Sequence, residues 1–124
     1  MTELTALRIL VVEDELMLLE VIASELEDAG FAVAQAMTAE IALGLIEGGA
    51  PIDILFTDIR LPGAMDGWQL AEAARRLRPG LPIIYATGFT QTPPRLAEGS
   101  LFFTKPYRAQ AIIDAIRTLG CAPV

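Results

Sequence analysis

Two rhythms of apolar and polar residues take turns along the chain. Residues 8–12 form a short β-branched and aliphatic run that stops abruptly at Glu13, Asp14 and Glu15. Residues 16–29 then set Leu19, Ile22, Ala23 and Leu26 on one helical face, with Gly30 as the stop. The unit recurs: 31–36 reads as a strand, Thr38 is placed to cap a helix presenting Ile41, Ala42, Leu45 and Ile46, and Gly48, Gly49 and Pro51 end it. A third strand over 52–57 ends at Asp58. After a loop through Pro62 and Gly63, a helix carries Leu70, Ala71, Ala74 and Leu77 as far as Pro79 and Gly80. Residues 81–86 form the fourth strand, ending at Thr87 and Gly88. The stretch 89–99 holds Pro93 and Pro94 and little periodicity, so its helix is predicted to be short or irregular. Residues 101–104 form the fifth strand, and a closing helix presents Ala111, Ile112, Ala115, Ile116 and Leu119 before Gly120.

Five strand–helix units whose strands are apolar throughout predict a parallel sheet covered on both faces. The expected fold is α/β: a three-layer, doubly wound, flavodoxin-like (βα)5 arrangement with strand order 2-1-3-4-5. With 124 residues, 53% of them hydrophobic, the chain has the size of one domain, and we expect a single domain over 1–124 with no output domain.

Composition removes whole classes of chemistry. Histidine is absent, so there is no Ser-His-Asp or Cys-His relay, no histidine-ligated zinc and no internal phosphohistidine. Cys121 stands alone and supports neither a disulfide framework nor a thiolate cluster. The net charge of −7, with scattered arginines, argues against a nucleic-acid partner, and Arg75, Arg76 and Arg78 read as a solvated helix end. A start without a basic stretch, and apolar runs too short to span a bilayer, lead us to expect a cytoplasmic protein with no membrane partner.

In open parallel sheets, ligands bind beyond the carboxyl ends of the strands. Here those ends supply Glu13 and Asp14, then Asp58, Thr87 and Lys105, the last being the only lysine in the chain. Strands one and three are neighbours in the expected order, so three carboxylates should converge, a costly arrangement unless a cation or protonation relieves the repulsion. Oxygen donors alone, without thiolate or imidazole, suit Mg²⁺, which commonly keeps one or two carboxylates, waters and a phosphate oxygen. A phosphoryl group completes that set: Asp58 would be its nucleophile, and Lys105 and Thr87 would each meet an equatorial oxygen. Taken singly, each residue has a blander reading. Glu13 and Asp14 could belong to a helix start, Asp58 and Thr87 to turns, and Lys105 to the solvent. Four such coincidences at four strand ends are far less economical.

Val11-Val12-Glu13-Asp14-Glu15, Thr57-Asp58-Ile59-Arg60-Leu61-Pro62-Gly63, Ala86-Thr87-Gly88 and Thr104-Lys105-Pro106 resemble, in order and position, the motifs of the receiver domain of two-component response regulators, of the CheY-like kind. The resemblance covers nearly the whole chain. It implies that Asp58 accepts phosphate from a sensor histidine kinase or a histidine phosphotransfer protein. It further implies that Asp14 binds Mg²⁺ directly, Glu13 mostly through water, and the backbone carbonyl of Arg60 as a further ligand. Thr87, Gly88 and Lys105 would surround the phosphoryl oxygens, Phe102 would be an aromatic switch residue, and the Lys105-Pro106 peptide would be cis. Such a protein phosphorylates and dephosphorylates itself and is not a turnover enzyme. It would signal to an unknown downstream protein by contact, as a monomer or a weak phosphorylation-dependent dimer, or would act as a phosphate sink for a shared kinase.

Three departures stand beside the matches. Tyr85-Ala86-Thr87-Gly88-Phe89 resembles the subgroup with a Phe-Ala-Thr-Gly-Tyr motif, the interval from Asp58 to Asp66-Gly67 is one residue longer than the common pattern, and that from Thr87 to Lys105 is shorter. A Mg²⁺-dependent aspartyl-phosphate phosphohydrolase would place a second acid two residues after its nucleophile, where this chain has Arg60. A flavodoxin-like binder would need hydroxyls and glycines where Glu13, Asp14 and Glu15 would repel a phosphate.

Overall fold

The computed structural model describes residues 6–88 and 98–120. In chain order these form β1 (Arg8–Val12), α1 (Leu16–Asp28), β2 (Ala32–Ala36), α2 (Ala39–Glu47), β3 (Ile54–Asp58), α3 (Gly67–Leu77), β4 (Ile83–Thr87), β5 (Leu101–Thr104) and α4 (Ala109–Gly120). All strand pairings are parallel and the order is β2-β1-β3-β4-β5, as the sequence predicts. The helix expected between β4 and β5 falls on 89–97, outside the described residues, as do Phe89 and Cys121.

Side chains alternate across the sheet with the period of two that strands impose. Leu10, Val12, Leu55, Ile83 and Tyr85 face α2 and α3, where they meet Ala39, Ala42, Ile46, Leu70, Ala71 and Ala74. Ile9, Val11, Ile54, Phe56 and Ile84 face α1 and α4, where Leu19, Ile22, Leu26, Ile112 and Ile116 close the second layer. Leu10 and Leu55 are fully buried in this packing, and truncating either to alanine should cost about 2–5 kcal/mol.

The central strands β3 and β4 are buried along their whole length, whereas β2 and β5 are partly exposed because they form the sheet's edges. The prediction of strands covered on both faces therefore holds only for the interior of the sheet. Ile41 and Leu77, expected to face inward, are 53% and 49% exposed. Ile41 sits a quarter-turn off the stripe of Ala39, Ala42 and Ile46, and Leu77 is the last residue of α3.

Two of the three arginines at the end of α3, Arg75 and Arg78, are not simply solvated. Arg75 donates to the carbonyls of Leu81 (2.6 Å) and Glu98 (2.9 Å), and Arg78 donates to the carbonyl of Ile46 (3.1 Å), so they tie loop carbonyls and the last turn of α2 to the end of α3. Thr38 caps α2 by accepting from the Ile41 amide, and Asp66 and Gln69 form a reciprocal capping box at α3. Glu15, at the start of α1, makes no side-chain cap.

Candidate functional site

Strand register brings the polar residues to one end of the sheet. Val12 lies beside Thr57, Asp58 beside Ala86, and Thr87 beside Thr104. Glu13, Asp58, Thr87 and Lys105 each therefore emerge at or one residue past the carboxyl end of their strand. Backbone hydrogen bonds extend this alignment past the strands: the Glu13 amide donates to Ala36 O (3.0 Å), Ile59 to Ala86 O (3.0 Å) and Lys105 to Thr87 O (2.7 Å).

The convergence expected of the three acids is present. Glu13, Asp14 and Asp58 each offer a carboxylate oxygen within 4.8 Å of the others, with Glu13 and Asp58 buried and Asp14 exposed. Lys105 Nζ lies between two of them, donating to Glu13 Oε1 at 2.6 Å and Asp58 Oδ2 at 2.8 Å. The Arg60 amide donates to Asp58 Oδ1 (3.3 Å), and the Glu15 amide to Glu13 Oε2 (3.1 Å). Glu13 is thus engaged at both oxygens, and Asp14 faces the solvent side where a hydrated cation would arrive.

Electrostatics follow from burial and crowding. Burial pushes the Glu13 carboxyl above its ordinary range; the Lys105 hydrogen bond opposes this and the Asp58 charge adds to it. Burial alone would lower Lys105, but the two carboxylates outweigh it and hold the ammonium protonated well above the usual lysine range. The lysine gains from both acids while Glu13 and Asp58 share its single ammonium, so the pair retains an excess of negative charge. Hard oxygen donors at this separation fit Mg²⁺. Glu13, Asp14 and Asp58 are the residues that could hold such an ion, which when bound would neutralise charge on the carboxylates.

Thr87 is buried at the end of β4, and Gly88, which follows it, is exposed at the rim. Phe102 pairs with Tyr85 across the β4–β5 ladder and packs half-buried against the layer containing Tyr85 and Trp68. The Lys105-Pro106 peptide is cis.

Two residues at the site have roles that the linear pattern does not show. A Cβ on Gly67 would lie 2.2 Å from the Asp58 carbonyl oxygen, so the start of α3 presses against the backbone of Asp58 and only glycine fits. Tyr107 packs edge-on to Phe56 with ring centroids 5.6 Å apart, and burial beside Glu13 pushes its hydroxyl up to about 12. The Asp66-Gly67 pair was visible as a landmark, but its reason is a contact between segments nine residues apart that no local pattern displays.

The family profile for the response regulator receiver domain matches residues 9–117. The chain belongs to the response regulator receiver domain family. Among relatives, a response regulator receiver protein of Anaeromyxobacter sp. (strain Fw109-5) is 36% identical over 113 residues, covering 87% of this chain and 43% of that protein. The transcriptional regulatory protein TcrA of Mycobacterium tuberculosis is 29% identical over 120 residues, covering 94% of this chain and 47% of TcrA. The receiver chain thus spans less than half the length of these relatives. Among solved structures, a response regulator receiver protein from Sinorhizobium medicae WSM419 superposes with a TM-score of 0.89 at 35% identity, covering 97% of this chain and 98% of that one. A CheY-like receiver domain protein from Methanospirillum hungatei JF-1 gives 0.83 at 30% identity, covering 94% and 95%. Among the described residues, this receiver domain has no helix long and apolar enough to cross a membrane.

Proposed function

We propose that this receiver domain takes a phosphoryl group onto Asp58 from the phosphohistidine of a sensor kinase or histidine phosphotransfer protein, in a Mg²⁺-dependent reaction, and passes the signal on by protein contact in the cytoplasm. The observation that carries this reading is the cluster itself: one acceptor carboxylate, Asp58, hydrogen-bonded to a lysine that stays protonated, beside two further carboxylates with oxygens within 4.8 Å.

In this reading an Asp58 oxygen attacks phosphorus, the bond from phosphorus to the donor nitrogen breaks, and the imidazole leaves with the electron pair. Asp14, Asp58 and the Arg60 carbonyl hold the cation, Glu13 acting through water. Lys105 exchanges part of its bond to Asp58 for a phosphoryl oxygen, and Thr87 and the Gly88 backbone receive another. Phe102 follows Thr87 as the aromatic switch. Water later releases the phosphate, so the domain is an acceptor that resets itself and does not turn over an external substrate. An apolar groove of about 410 Å³, lined by Leu18, Val21, Ile22, Lys105, Pro106 and Tyr107, adjoins the lysine and offers the protein donor a foothold.

The test is intact mass after incubation with acetyl phosphate and Mg²⁺. One phosphoryl group should add to the wild type and none to Asp58→Asn; addition to the variant, or none to the wild type, overturns the reading.

A further inference from the structure

The loop between β3 and α3 carries the longer interval noted in the sequence, and it is held from outside the site. Glu40, in the first turn of α2, accepts the backbone amides of Ala64 (3.1 Å) and Met65 (3.0 Å) on a single carboxylate oxygen. Gly63 has a φ of +95°, and a Cβ there would stand 3.0 Å from Glu40 Oε1. The loop therefore wraps its backbone round the carboxylate at the one position where a side chain would interfere. Charge-assisted bonds of this kind are stronger than neutral ones, and two on one oxygen fix an orientation as well as a distance.

Its other attachments show what this grip controls. At the far end the Gly67 amide donates to Ile59 O (2.8 Å), closing the loop on the residue after Asp58. Between the two anchors lie Arg60, Leu61 and Pro62, which with Asp14, Asp66 and Trp68 line an open cleft of about 410 Å³ beside the acid cluster. Pro62, Gly63 and Ala64 are exposed and have little packing of their own to hold this wall in place. Glu40 also suits the helix N-terminus of α2, but that role needs no contact with residues 24 and 25 positions away.

We propose that Glu40 is a positioning residue for the cation site: by clamping the amides of Ala64 and Met65 it fixes the loop wall that carries Arg60 against Asp14 and Asp58. This rests on the Mg²⁺-dependent reading above. Glu40 never touches the cation or the phosphoryl group. It acts as outer partners of metal ligands act, by limiting where the ligands can go.

Calorimetric titration with Mg²⁺ tests this on the phosphate-free protein. Glu40→Ala should weaken Mg²⁺ binding by about tenfold, the lower end of what loss of an outer partner produces. Glu40→Gln, which keeps an acceptor oxygen, should recover most of that affinity. Glu47→Ala, an equal charge loss at the other end of α2, should bind as the wild type does. Amide exchange at Ala64 and Met65 should accelerate in Glu40→Ala and not in Glu47→Ala. Equal Mg²⁺ affinity in wild type and Glu40→Ala overturns the proposal even if the variant melts lower, and so does an equal loss in Glu47→Ala. If Glu40→Ala does not fold, Glu40→Asp decides, since its shorter side chain keeps the charge but draws the carboxylate back from the Ala64 and Met65 amides: its affinity should fall, and no fall overturns the proposal. A wild type that binds no Mg²⁺ removes the phosphoacceptor reading and this inference together.

Discussion

Lys105 Nζ sits 2.8 Å from Asp58 Oδ2 across 47 positions of sequence, and the same ammonium reaches Glu13 Oε1 at 2.6 Å. One cation thus holds two buried acids together at the edge of the candidate site. Replacing Lys105 by methionine leaves those acids facing each other without compensation. In chelator the variant should lose about 2 kcal/mol, below the cost of breaking a fully buried pair because the site is open to solvent on the Asp14 side. Added Mg²⁺ should narrow the gap to the wild type. Urea unfolding with and without Mg²⁺ measures both, and a gap unchanged by Mg²⁺ would count against the cation site.

Lys105→Arg tests geometry at constant charge. A planar guanidinium does not fit where a single nitrogen meets two oxygens at 2.6 and 2.8 Å. The variant should fold with a near-native circular dichroism spectrum yet respond less to phosphorylation, read as a smaller change in Trp68 fluorescence. A response of wild-type size would remove the lysine from its assigned role.

Glu13 gives a pH dependence whose sign differs with and without the cation. Its folded-state value is raised above the unfolded 4.5, chiefly by burial. In metal-free protein its contribution to stability is therefore fully present below pH 4.5 and lost as the pH rises through the raised value. Mg²⁺ binding needs the cluster ionised, so the increase in Tm produced by Mg²⁺ should grow over that same window. Glu13→Gln should flatten this growth, as differential scanning fluorimetry in steps of rising pH, begun below the unfolded 4.5, would show.

Tyr107 predicts behaviour at the alkaline end. Its hydroxyl is raised from 10.0 to about 12, so its contribution is present below pH 10 and lost as the pH rises towards 12. Lys105, also raised, moves stability in the same direction at still higher pH. Tyr107→Phe keeps the edge-on packing with Phe56 and should make the fall in stability across this range shallower. An identical alkaline unfolding curve would contradict this.

Gly67→Ala places a methyl group 2.2 Å from the Asp58 carbonyl oxygen, a contact that backbone must move to relieve. The expected cost is about 3 kcal/mol by urea unfolding, the upper part of the usual overpacking range. Because the displaced backbone belongs to Asp58, phosphorylation by acetyl phosphate should slow as well.

The sequence by itself determined the strand–helix alternation, the parallel sheet and its order. It did so because Arg8–Val12 and Ile83–Thr87 are short, unbroken apolar runs of a buried strand's length, while Leu19, Ile22 and Leu26 have a helix's period. It also singled out Glu13, Asp14, Asp58, Thr87 and Lys105, since in a parallel sheet strand ends are shared ground. Tertiary structure decided the rest. Which face of α2 looks inward, and hence the exposure of Ile41, depends on how the helix lies against the sheet and α3. The carbonyl contacts of Arg75 and Arg78, the closeness of Gly67 to Asp58 and the grip of Glu40 on the loop at Ala64 all join segments distant or differently oriented in the chain. Periodicity records which side of an element is apolar. It holds no record of which loop amide a distant carboxylate will meet, because that distance is set only once the layers have packed.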